Sequence, residues 1–530
     1  MSRIAPNDAG LQPAMGLDVG NGFACPALLE GGENQDPVVL LSNELRRSGM
    51  PTDAYVSDKK EITVLGAQDR IMRSPWRGVH AVKHHMAAGE RIILSDGKGK
   101  RVDIAADDVY AAIARDALGM ANRERAALRQ SPVTRIALTY PVEFRDRPEL
   151  LARMKRAVES VETGSGGHYE VIARLPEPVA AAFDYLYYML HLAPEDRRIT
   201  GDQFTVLVYD LGHGTFDSSI VSVSADSDEY IVHASEGLPD VGGRNFDELI
   251  LQEFLSQLEQ SHEAVPSPAS VGYETLRRLA VRAKHELSEK PMFEDDSTFM
   301  ANGEYASFSI TRSRFEELAG GLIDQTLIRT DRMLRYAKSH GISIDAIVLC
   351  GGSSAMPMVR SGLEQLARQQ EIRVEAHRPS SAVAFGAARY ARQCMRSGRD
   401  HNHGATLSQT AEYSFGVARR QQDSIYDEIT FLTAPDAALP ATSDSIELRA
   451  ERSGLLTLAV ARSMQRGVRE TTAEPRDCWE LIRFTFELSP LQTCSAAFTI
   501  GEDRSITATV TTPDGRTFTQ STDANKEMSA

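Results

Sequence analysis

The chain has 530 residues, of which 42% are hydrophobic and 25% charged, and its formal net charge is −16. It is long enough for two to four domains with full hydrophobic cores. The acidic balance argues against binding to nucleic acids or anionic membranes, whose phosphates attract clustered Lys and Arg. The five cysteines form no CxxC pair and the first fifteen residues lack the pattern of a signal peptide, so we expect a cytoplasmic protein with reduced thiols.

The first predicted element is a strand that ends in an acidic turn. Residues 15–23 read MGLDVGNGF, in which Asp18 closes an apolar run and is followed by Gly20, Asn21 and Gly22. Glycines bring backbone N–H groups close to an anion, whereas a carboxylate repels that anion unless a divalent cation lies between them. This pattern favours a Mg²⁺–phosphate complex over a bare phosphate.

Helices and strands then alternate to about residue 392. A helix is predicted from near Asp107, and a longer amphipathic helix over 315–340, which Gly341 ends. Both are interpreted as core packing rather than as functional sites.

The pattern of strand, acid and glycine turn returns in residues 206–217, VLVYDLGHGTFD. Asp210 ends one strand, Asp217 begins the returning strand, and the turn between them contains Gly212, His213 and Gly214. Taken alone, this segment is also compatible with an ordinary hairpin with a glycine-rich turn.

A third glycine turn follows in residues 346–354, AIVLCGGSS, where an apolar strand breaks at Gly351 and Gly352. A helix with Pro357 in its first turn comes next. Such a strand-to-helix turn offers free N–H donors to a nucleotide. Two acidic hairpins and a Gly-Gly turn together predict that the acidic turns converge across a cleft and share a magnesium-bound triphosphate.

The pattern changes after residue 392. Residues 393–411 are polar without periodicity and are interpreted as a linker. Strands with alternating polarity are predicted beyond it, at 446–450, 456–461, 482–488 and 506–510, with a turn at 513–515 before a further strand. Residues 412–520 are therefore expected to form an all-β domain, and residues 1–14 and 521–530 to be disordered.

In this order, the segments resemble the actin-like ATPase superfamily, and within it the DnaK-type 70-kDa heat-shock chaperones. The resemblance is specific over residues 15–392 and continues more loosely to about residue 520. It is carried by GLDVG (16–20), AVK (81–83), LTYPVEF (138–144), PEPVAAAF (176–183), YDLGHGTFD (209–217), VGGRNFD (241–247), AKHELS (283–288), GGSS (351–354) and AVAFGAA (382–388). It implies an α/β two-lobed actin-like ATPase domain with ribonuclease H-like subdomains, followed by a C-terminal β-sandwich that binds polypeptide segments.

The resemblance also implies the roles of individual residues. Mg²⁺ with ATP or ADP would lie between the lobes, and the metal would be held mostly through water by Asp18, Asp210 and Asp217. Lys83 and Glu177 would position the attacking water, with Asp210 and Thr215 also counted as catalytic. The nucleotide-binding residues it implies are Asp18, Gly20, Asn21, Gly22, Gly212, His213, Gly214, Gly242, Gly243, Lys284, Ser288, Gly351, Gly352 and Ser353.

Several positions depart from the family pattern. Asn21 and Gly22 replace two threonines, and His213 replaces a glycine at the centre of the second turn. On the adenine side, Ala355 and Val281 replace an arginine and a glutamate, and Pro-Ser-Ser at 379–381 replaces Pro-Asp-Glu. The sequence GRDHNHG at 398–404 replaces an apolar linker, and no helical lid is expected. Weaker or altered nucleotide binding and slow turnover are predicted.

We therefore expect an atypical chaperone of this family, which binds and slowly hydrolyses ATP and binds unfolded or partner polypeptides through its β-domain. A J-domain co-chaperone and a nucleotide exchange factor are partners that the resemblance implies. The alternative is a nucleotide-binding scaffold with little hydrolysis and one dedicated protein partner. An actin-like filament protein is disfavoured by the appended β-domain.

Overall fold

The structure is a computed structural model of the chain. It describes residues 13–30, 38–39, 49–89, 91–96, 98–145, 147–164, 166–189, 203–224, 230–268, 270–299, 305–368, 370–396, 407–409, 415–420, 427–433, 440–451, 453–463, 472–473, 478–501 and 506–522. The chain forms two compact units: the first comprises residues 1–143, 150–228 and 235–405, and the second comprises 144–149, 229–234 and 406–530.

The elements are numbered in chain order. The strands up to residue 376 are β1 (Ala14–Val19), β2 (Phe23–Leu29), β3 (Val38–Val39), β4 (Met50–Pro51), β5 (Ala54–Val56), β6 (Ile62–Thr63), β7 (Gly78–Val79), β8 (Ile92–Ser95), β9 (Arg101–Ile104), β10 (Arg135–Tyr140), β11 (Glu170–Pro176), β12 (Gln203–Leu211), β13 (Phe216–Ser224), β14 (Tyr230–Leu238), β15 (Met292–Phe299), β16 (Tyr305–Thr311), β17 (Ala346–Cys350) and β18 (Arg373–Ala376). The later strands are β19 (Leu407–Gln409), β20 (Phe415–Arg420), β21 (Asp427–Thr433), β22 (Ala441–Thr442), β23 (Ile446–Arg449), β24 (Leu455–Ser463), β25 (Thr472–Ala473), β26 (Cys478–Glu487), β27 (Thr493–Ile500), β28 (Ile506–Thr511) and β29 (Thr517–Thr522). The α-helices are α1 (Ala67–Arg73), α2 (Val82–Ala88), α3 (Ala106–Ala127), α4 (Pro148–Glu159), α5 (Glu177–Tyr187), α6 (Gly243–Gln260), α7 (Val271–Glu289), α8 (Arg312–Ser339), α9 (Pro357–Arg368) and α10 (Ala382–Arg396).

In the first unit, one sheet is built around the N-terminal acidic hairpin. Its strands are neighbours in the order β11, β10, β1, β2 and β3, and β4 also pairs with β2. Strand β1 runs parallel to β10 and antiparallel to β2, so that Asp18 lies opposite Cys25 near the turn. Strand β1 is almost wholly buried, as its apolar sequence requires of a central strand.

A second sheet of this unit repeats that arrangement around the second acidic hairpin. Its strands are neighbours in the order β18, β17, β12, β13 and β14. Strand β12 is antiparallel to β13 and parallel to β17, so Asp210 lies opposite both Asp217 and Cys350. Each sheet therefore places one aspartate at the end of a buried central strand, beside a glycine turn.

Two helices link these sheets and cross each other. Helix α10 packs on β1 and β2, and helix α5 packs on β12 and β13. Gly16 of β1 lies directly beneath the backbone of α10, and Gly386 of α10 lies against the carbonyl group of Ala180 in α5. The close crossing of α5 and α10 thus joins the parts of the unit that carry the two acidic turns.

Replacing Gly386 with alanine should destabilise the protein by about 3 kcal/mol, because the new methyl group would overlap a main-chain carbonyl that cannot rotate away. Gly321→Ala is the matched control: this glycine is exposed in the middle of α8, and no described atom lies within 4 Å of a Cβ there. The control should be neutral or stabilise by up to about 1 kcal/mol. Urea unfolding of both variants measures the difference, and equal stability would contradict the close crossing.

The second unit contains two antiparallel sheets around one hydrophobic core. The first has the order β25, β21, β20, β24 and β26, and the second has the order β22, β27, β28 and β29, with β23 also beside β27. Both sheets contribute alternate residues to the core, among them Leu456, Leu458, Val460, Phe498 and Ile500. This alternation follows the period of two in the sequence. The start of β14, residues 230–234, also belongs to this unit. There it runs parallel to β19, with Tyr230 opposite Leu407.

Some element boundaries differ from those predicted. Helix α10 continues to Arg396, into the segment interpreted as a linker, and Gln393, Cys394 and Met395 in this last turn are half-buried. Strand β1 begins at Ala14, opposite Leu29. Strand β29 extends to Thr522, which pairs with Ile506. Residues 1–12, 397–406 and 523–530, with the GRDHNHG sequence, lie outside the described residues. Among the helices described, none is long and apolar enough to cross a membrane.

Candidate functional site

The two acidic turns meet the start of α6 in the first unit. Asn21 packs against Gly214, and Gly22 packs against His213 so closely that a Cβ on Gly22 would lie 2.7 Å from Cγ of His213. A Cβ on Gly242 would lie 2.6 Å from the carbonyl carbon of Gly214. The first turn (residues 20–22), the second turn (residues 212–214) and the N-terminus of α6 therefore face one another and are in direct contact, whereas the sequence predicted a cleft between the two acidic turns.

The aspartates at this meeting point are held by defined hydrogen bonds. Asp217 accepts a hydrogen bond from the backbone N–H of Val142 at 2.7 Å and another from the hydroxyl of Thr215 at 2.8 Å. Asp18 accepts one from the hydroxyl of Thr139 at 2.8 Å. Burial raises the pKa of both Asp210 and Asp217 well above the usual range, and neighbouring carboxylates raise these pKa values further.

Lys83 and Glu177 form an ion pair beside these aspartates. Lys83 lies in the first turn of α2, after Ala81 in the left-handed region at φ 51°, and Glu177 is the first residue of α5. The Lys83 ammonium is 2% exposed and donates a hydrogen bond to Oε1 of Glu177.

The pKa values of Lys83 and Glu177 are both raised, and these two shifts have opposite effects on the ion pair. Burial alone would lower the pKa of Lys83, but the charges of Glu177 and Asp18 raise it above its usual value. For Glu177, burial raises the pKa, and the charge of Lys83 opposes that shift. The raised pKa of Lys83 strengthens the ion pair, whereas that of Glu177 weakens it. Lys83 remains a cation, because several carboxylates surround it.

Glu143 is a further carboxylate at this site, which the sequence analysis did not identify. A Cβ on Gly237 would lie 3.2 Å from Oδ1 of Asp217 and 3.3 Å from Oε2 of Glu143, so both carboxyl groups border the same space. Burial, followed by the charge of Glu177, raises the pKa of Glu143 to about 7. Its Oε2 atom is buried without a hydrogen-bond partner among the described residues. The sequence signal that could have identified Glu143 was its position in the LTYPVEF motif, which was used only as evidence of family resemblance.

Lys284 and Ser353, two of the predicted nucleotide-binding residues, make hydrogen bonds to the start of α6 and to the second turn. Lys284 donates a hydrogen bond to the carbonyl oxygen of Gly243 at 3.0 Å and pairs with Asp247 at 2.8 Å. Ser353 donates to the carbonyl oxygen of Gly212 at 3.1 Å.

The remaining predicted residues have backbone or peripheral positions. Gly351, at φ 76°, packs against the carbonyl group of Leu211, which leaves no room for a side chain, and Gly352 follows it in a short 3₁₀ turn. Gly20 closes the first turn through its N–H bond to the carbonyl of Phe23. The hydroxyl of Ser288 bonds to the carbonyl of Lys284 within α7, and no described hydrogen bond joins it to the turns.

The charge balance of this cluster fits a divalent cation. Lys83 is the cation that lowers the pKa of Glu143, Asp210 and Asp217 alike, while Asp18 and Glu177 add further negative charge. Five buried or half-buried carboxyl groups surround one ammonium, and the raised pKa values of Glu143, Glu177, Asp210 and Asp217 show that this ammonium alone does not compensate their negative charges. Oxygen donors of this kind suit Mg²⁺. Among the described residues, no three His, Cys, Asp or Glu side chains are arranged to bind one ion directly.

Comparison with protein families decides the wider assignment. The family model described as Hsp70 protein matches residues 120–433. The chain belongs to the Hsp70 family. This confirms the family predicted from the motifs and, with it, the two-lobed actin-like ATPase fold of the first unit.

Hsp70 proteins are chaperones that bind ATP or ADP with Mg²⁺ and act on polypeptides with co-chaperones. The match to the Hsp70 model includes Glu143, Glu177, the second turn, the start of α6 and Lys284. Asp18 and Lys83 precede the matched residues, but the structure brings both to the same cluster.

Proposed function

We propose that this protein is an atypical Hsp70 chaperone that binds Mg²⁺ with ATP or ADP, hydrolyses ATP slowly and binds unfolded or partner polypeptide segments through its second unit. The observation that carries the nucleotide assignment is the meeting of buried carboxylates and Lys83 with two glycine turns and a helix N-terminus. Backbone N–H groups and a cation bound by carboxylates suit a polyphosphate.

In this proposal, Asp18, Asp210 and Asp217 would hold Mg²⁺ through water, and the ion would supply positive charge to neutralise the phosphates. Lys83 and Glu177 orient the attacking water, since phosphoryl transfer depends on positioning and charge more than on a covalent group. Thr215 follows the second turn and donates a hydrogen bond to Asp217, and its hydroxyl would contact the terminal phosphate. The nucleoside part of the nucleotide would be contacted by Lys284, Ser288 and Ser353.

The second unit supports the polypeptide-binding part of the proposal. Its two antiparallel sheets share one core, and this arrangement supports the proposal that the unit is a β-sandwich. A sheet edge or a groove between its loops can bind an extended peptide through main-chain hydrogen bonds. A cytoplasmic location, a J-domain co-chaperone and a nucleotide exchange factor belong to the same proposal.

Calorimetric titration of the intact chain with ATP and ADP tests the nucleotide assignment. We expect one nucleotide to bind per chain in Mg²⁺ buffer and at least about tenfold weaker binding in EDTA, because the carboxylates then repel the phosphates directly. The absence of binding in both buffers would overturn the assignment.

The alternative function, a nucleotide-binding scaffold for one dedicated partner, is favoured by the positions of Asn21 and His213, which fill the space between the two turns. The two functions differ in turnover and in breadth of binding. A chaperone should release phosphate from ATP and bind several unrelated unfolded polypeptides, whereas a scaffold should bind ATP without turnover and ignore such polypeptides.

A further inference from the structure

Two side chains close the space between the first and second turns. A Cβ on Gly22 would lie 2.7 Å from Cγ, 3.0 Å from Cβ and 3.1 Å from Cδ2 of His213. In the other direction, a Cβ on Gly214 would collide with the side-chain amide of Asn21 and lie 3.0 Å from its Cγ. In each turn, a glycine is thus in contact with a side chain from the opposite turn. We call this pair of contacts the Asn21–His213 interlock.

The interlock lies between the two turns and beside the start of α6, where the proposed function places the polyphosphate. Among the N–H groups at the start of α6, that of Gly243 bonds to the carbonyl of Gly212 at 2.9 Å, and that of Arg244 bonds to the carbonyl of His213 at 2.7 Å. Oδ1 of Asn21 is buried without a hydrogen-bond partner among the described residues. The turns are therefore packed on each other rather than held apart around an open space, and this packing leaves one polar atom of Asn21 unsatisfied.

The ring of His213 does not supply the positive charge that would suit a phosphate. Burial, followed by the charge of Lys284, lowers the pKa of His213 to about 4, although Asp247 and Asp53 oppose this shift. A neutral imidazole against Gly22 fills space without attracting an anion. His213 therefore acts by filling the space beside Gly22, not by attracting phosphate.

We propose that the Asn21–His213 interlock holds the two turns together in the absence of nucleotide, and that a magnesium-bound polyphosphate must displace it to bind. This inference rests on the proposed nucleotide function and explains why binding would be slow and weak. Either turn can move only if the opposing side chain leaves its glycine. Loss of either side chain should therefore open the cleft to the phosphates.

The test is stopped-flow binding of a fluorescent ATP analogue, with Mg²⁺, to the intact chain and to His213→Ala, Asn21→Ala and the double variant. We expect each single variant to bind about tenfold faster and tighter than the natural chain. The double variant should gain little more, because each substitution already breaks the same interlock. His168→Ala, which removes an exposed histidine of the first unit, is the control and should behave like the natural chain.

Amide hydrogen exchange in the absence of nucleotide is the second measurement. Faster exchange at residues 20–22 and 212–214 in the variants, with unchanged thermal unfolding, supports the interlock. Unchanged exchange, or nucleotide association as slow as in the natural chain, overturns it while leaving the nucleotide function intact. Weaker binding by His213→Ala overturns it in favour of direct contact between His213 and phosphate. Failure of every form to bind the analogue overturns both the interlock and the proposed function.

Discussion

Replacing Lys83 with alanine should reduce Mg²⁺-dependent ATP hydrolysis by at least about 100-fold, the usual effect of removing a positioned charge from a buried reaction site. The ammonium is buried and donates to Glu177 while lowering the pKa of Asp210 and Asp217. Without it, Glu177 loses the partner that fixes its position, and the proposed function requires this carboxylate to orient water. Phosphate release by the intact chain and by the variant, at saturating ATP, measures the effect.

The same substitution should also lower the free energy of unfolding by about 3–5 kcal/mol, because it leaves the Glu177 carboxylate buried without its partner. The double variant Lys83→Ala/Glu177→Gln removes that charge as well. It should recover most of the stability but none of the hydrolysis, which separates the structural role of Lys83 from its proposed role in the reaction. Lys338→Ala, at the exposed end of α8, is the control and should change neither quantity.

Two outcomes would contradict the roles assigned here. Hydrolysis that is retained in Lys83→Ala shows that the measured turnover arises elsewhere. Nucleotide binding without lysine-dependent phosphate release in the intact chain favours the scaffold over the chaperone.

Replacing Glu143 with glutamine should stabilise the protein at pH 8 but not at pH 4. The pKa of Glu143 rises from 4.5 to about 7 on folding, mainly through burial. Because the unfolded chain releases this proton first, the carboxyl group destabilises the fold increasingly from about pH 4.5 to pH 7, and by a constant amount above that. Glutamine has the same shape without the charge, so the gain at pH 8 should be about 2–3 kcal/mol.

Urea unfolding of the natural chain and Glu143→Gln at both pH values checks this prediction. Saturating Mg²⁺ should reduce the advantage of the variant at pH 8, since a cation in the carboxylate cluster stabilises the charged form of Glu143. Glu294→Gln, at an exposed position of β15, is the control and should show no such pH dependence. An equal gain at both pH values would mean that packing, not charge, causes the effect.

Together, these variants separate the parts of the site. Variants at Lys83 and Glu177 test the proposed reaction, and the variant at Glu143 tests whether the carboxylate cluster binds a cation. Variants of the Asn21–His213 interlock test whether these side chains limit the binding of phosphates. Because the charges of Lys83 and Glu177 act on Glu143, the effects of variants at these three residues should not be additive.

The amino-acid sequence by itself determined the local elements and the family. An apolar run that ends in aspartate and glycine specifies a strand and a turn through neighbouring residues alone, and both acidic hairpins form at the predicted positions. Helix α8 ends where Gly341 adopts φ 68°, as the sequence required. The ordered motifs identified the Hsp70 family, which the match over residues 120–433 shows.

Only the tertiary structure decided how distant side chains meet. Glu143 lies beside Asp217, Lys83 forms an ion pair with Glu177, and the two glycine turns are in contact. These contacts form because α5 and α10 cross at Gly386 and bring the two sheets together. No local pattern encodes such distances, since they depend on the packing of elements far apart in the chain. For the same reason, the departures at Asn21 and His213 were visible in the sequence as substitutions, whereas the contacts of these side chains with the opposite turn were not.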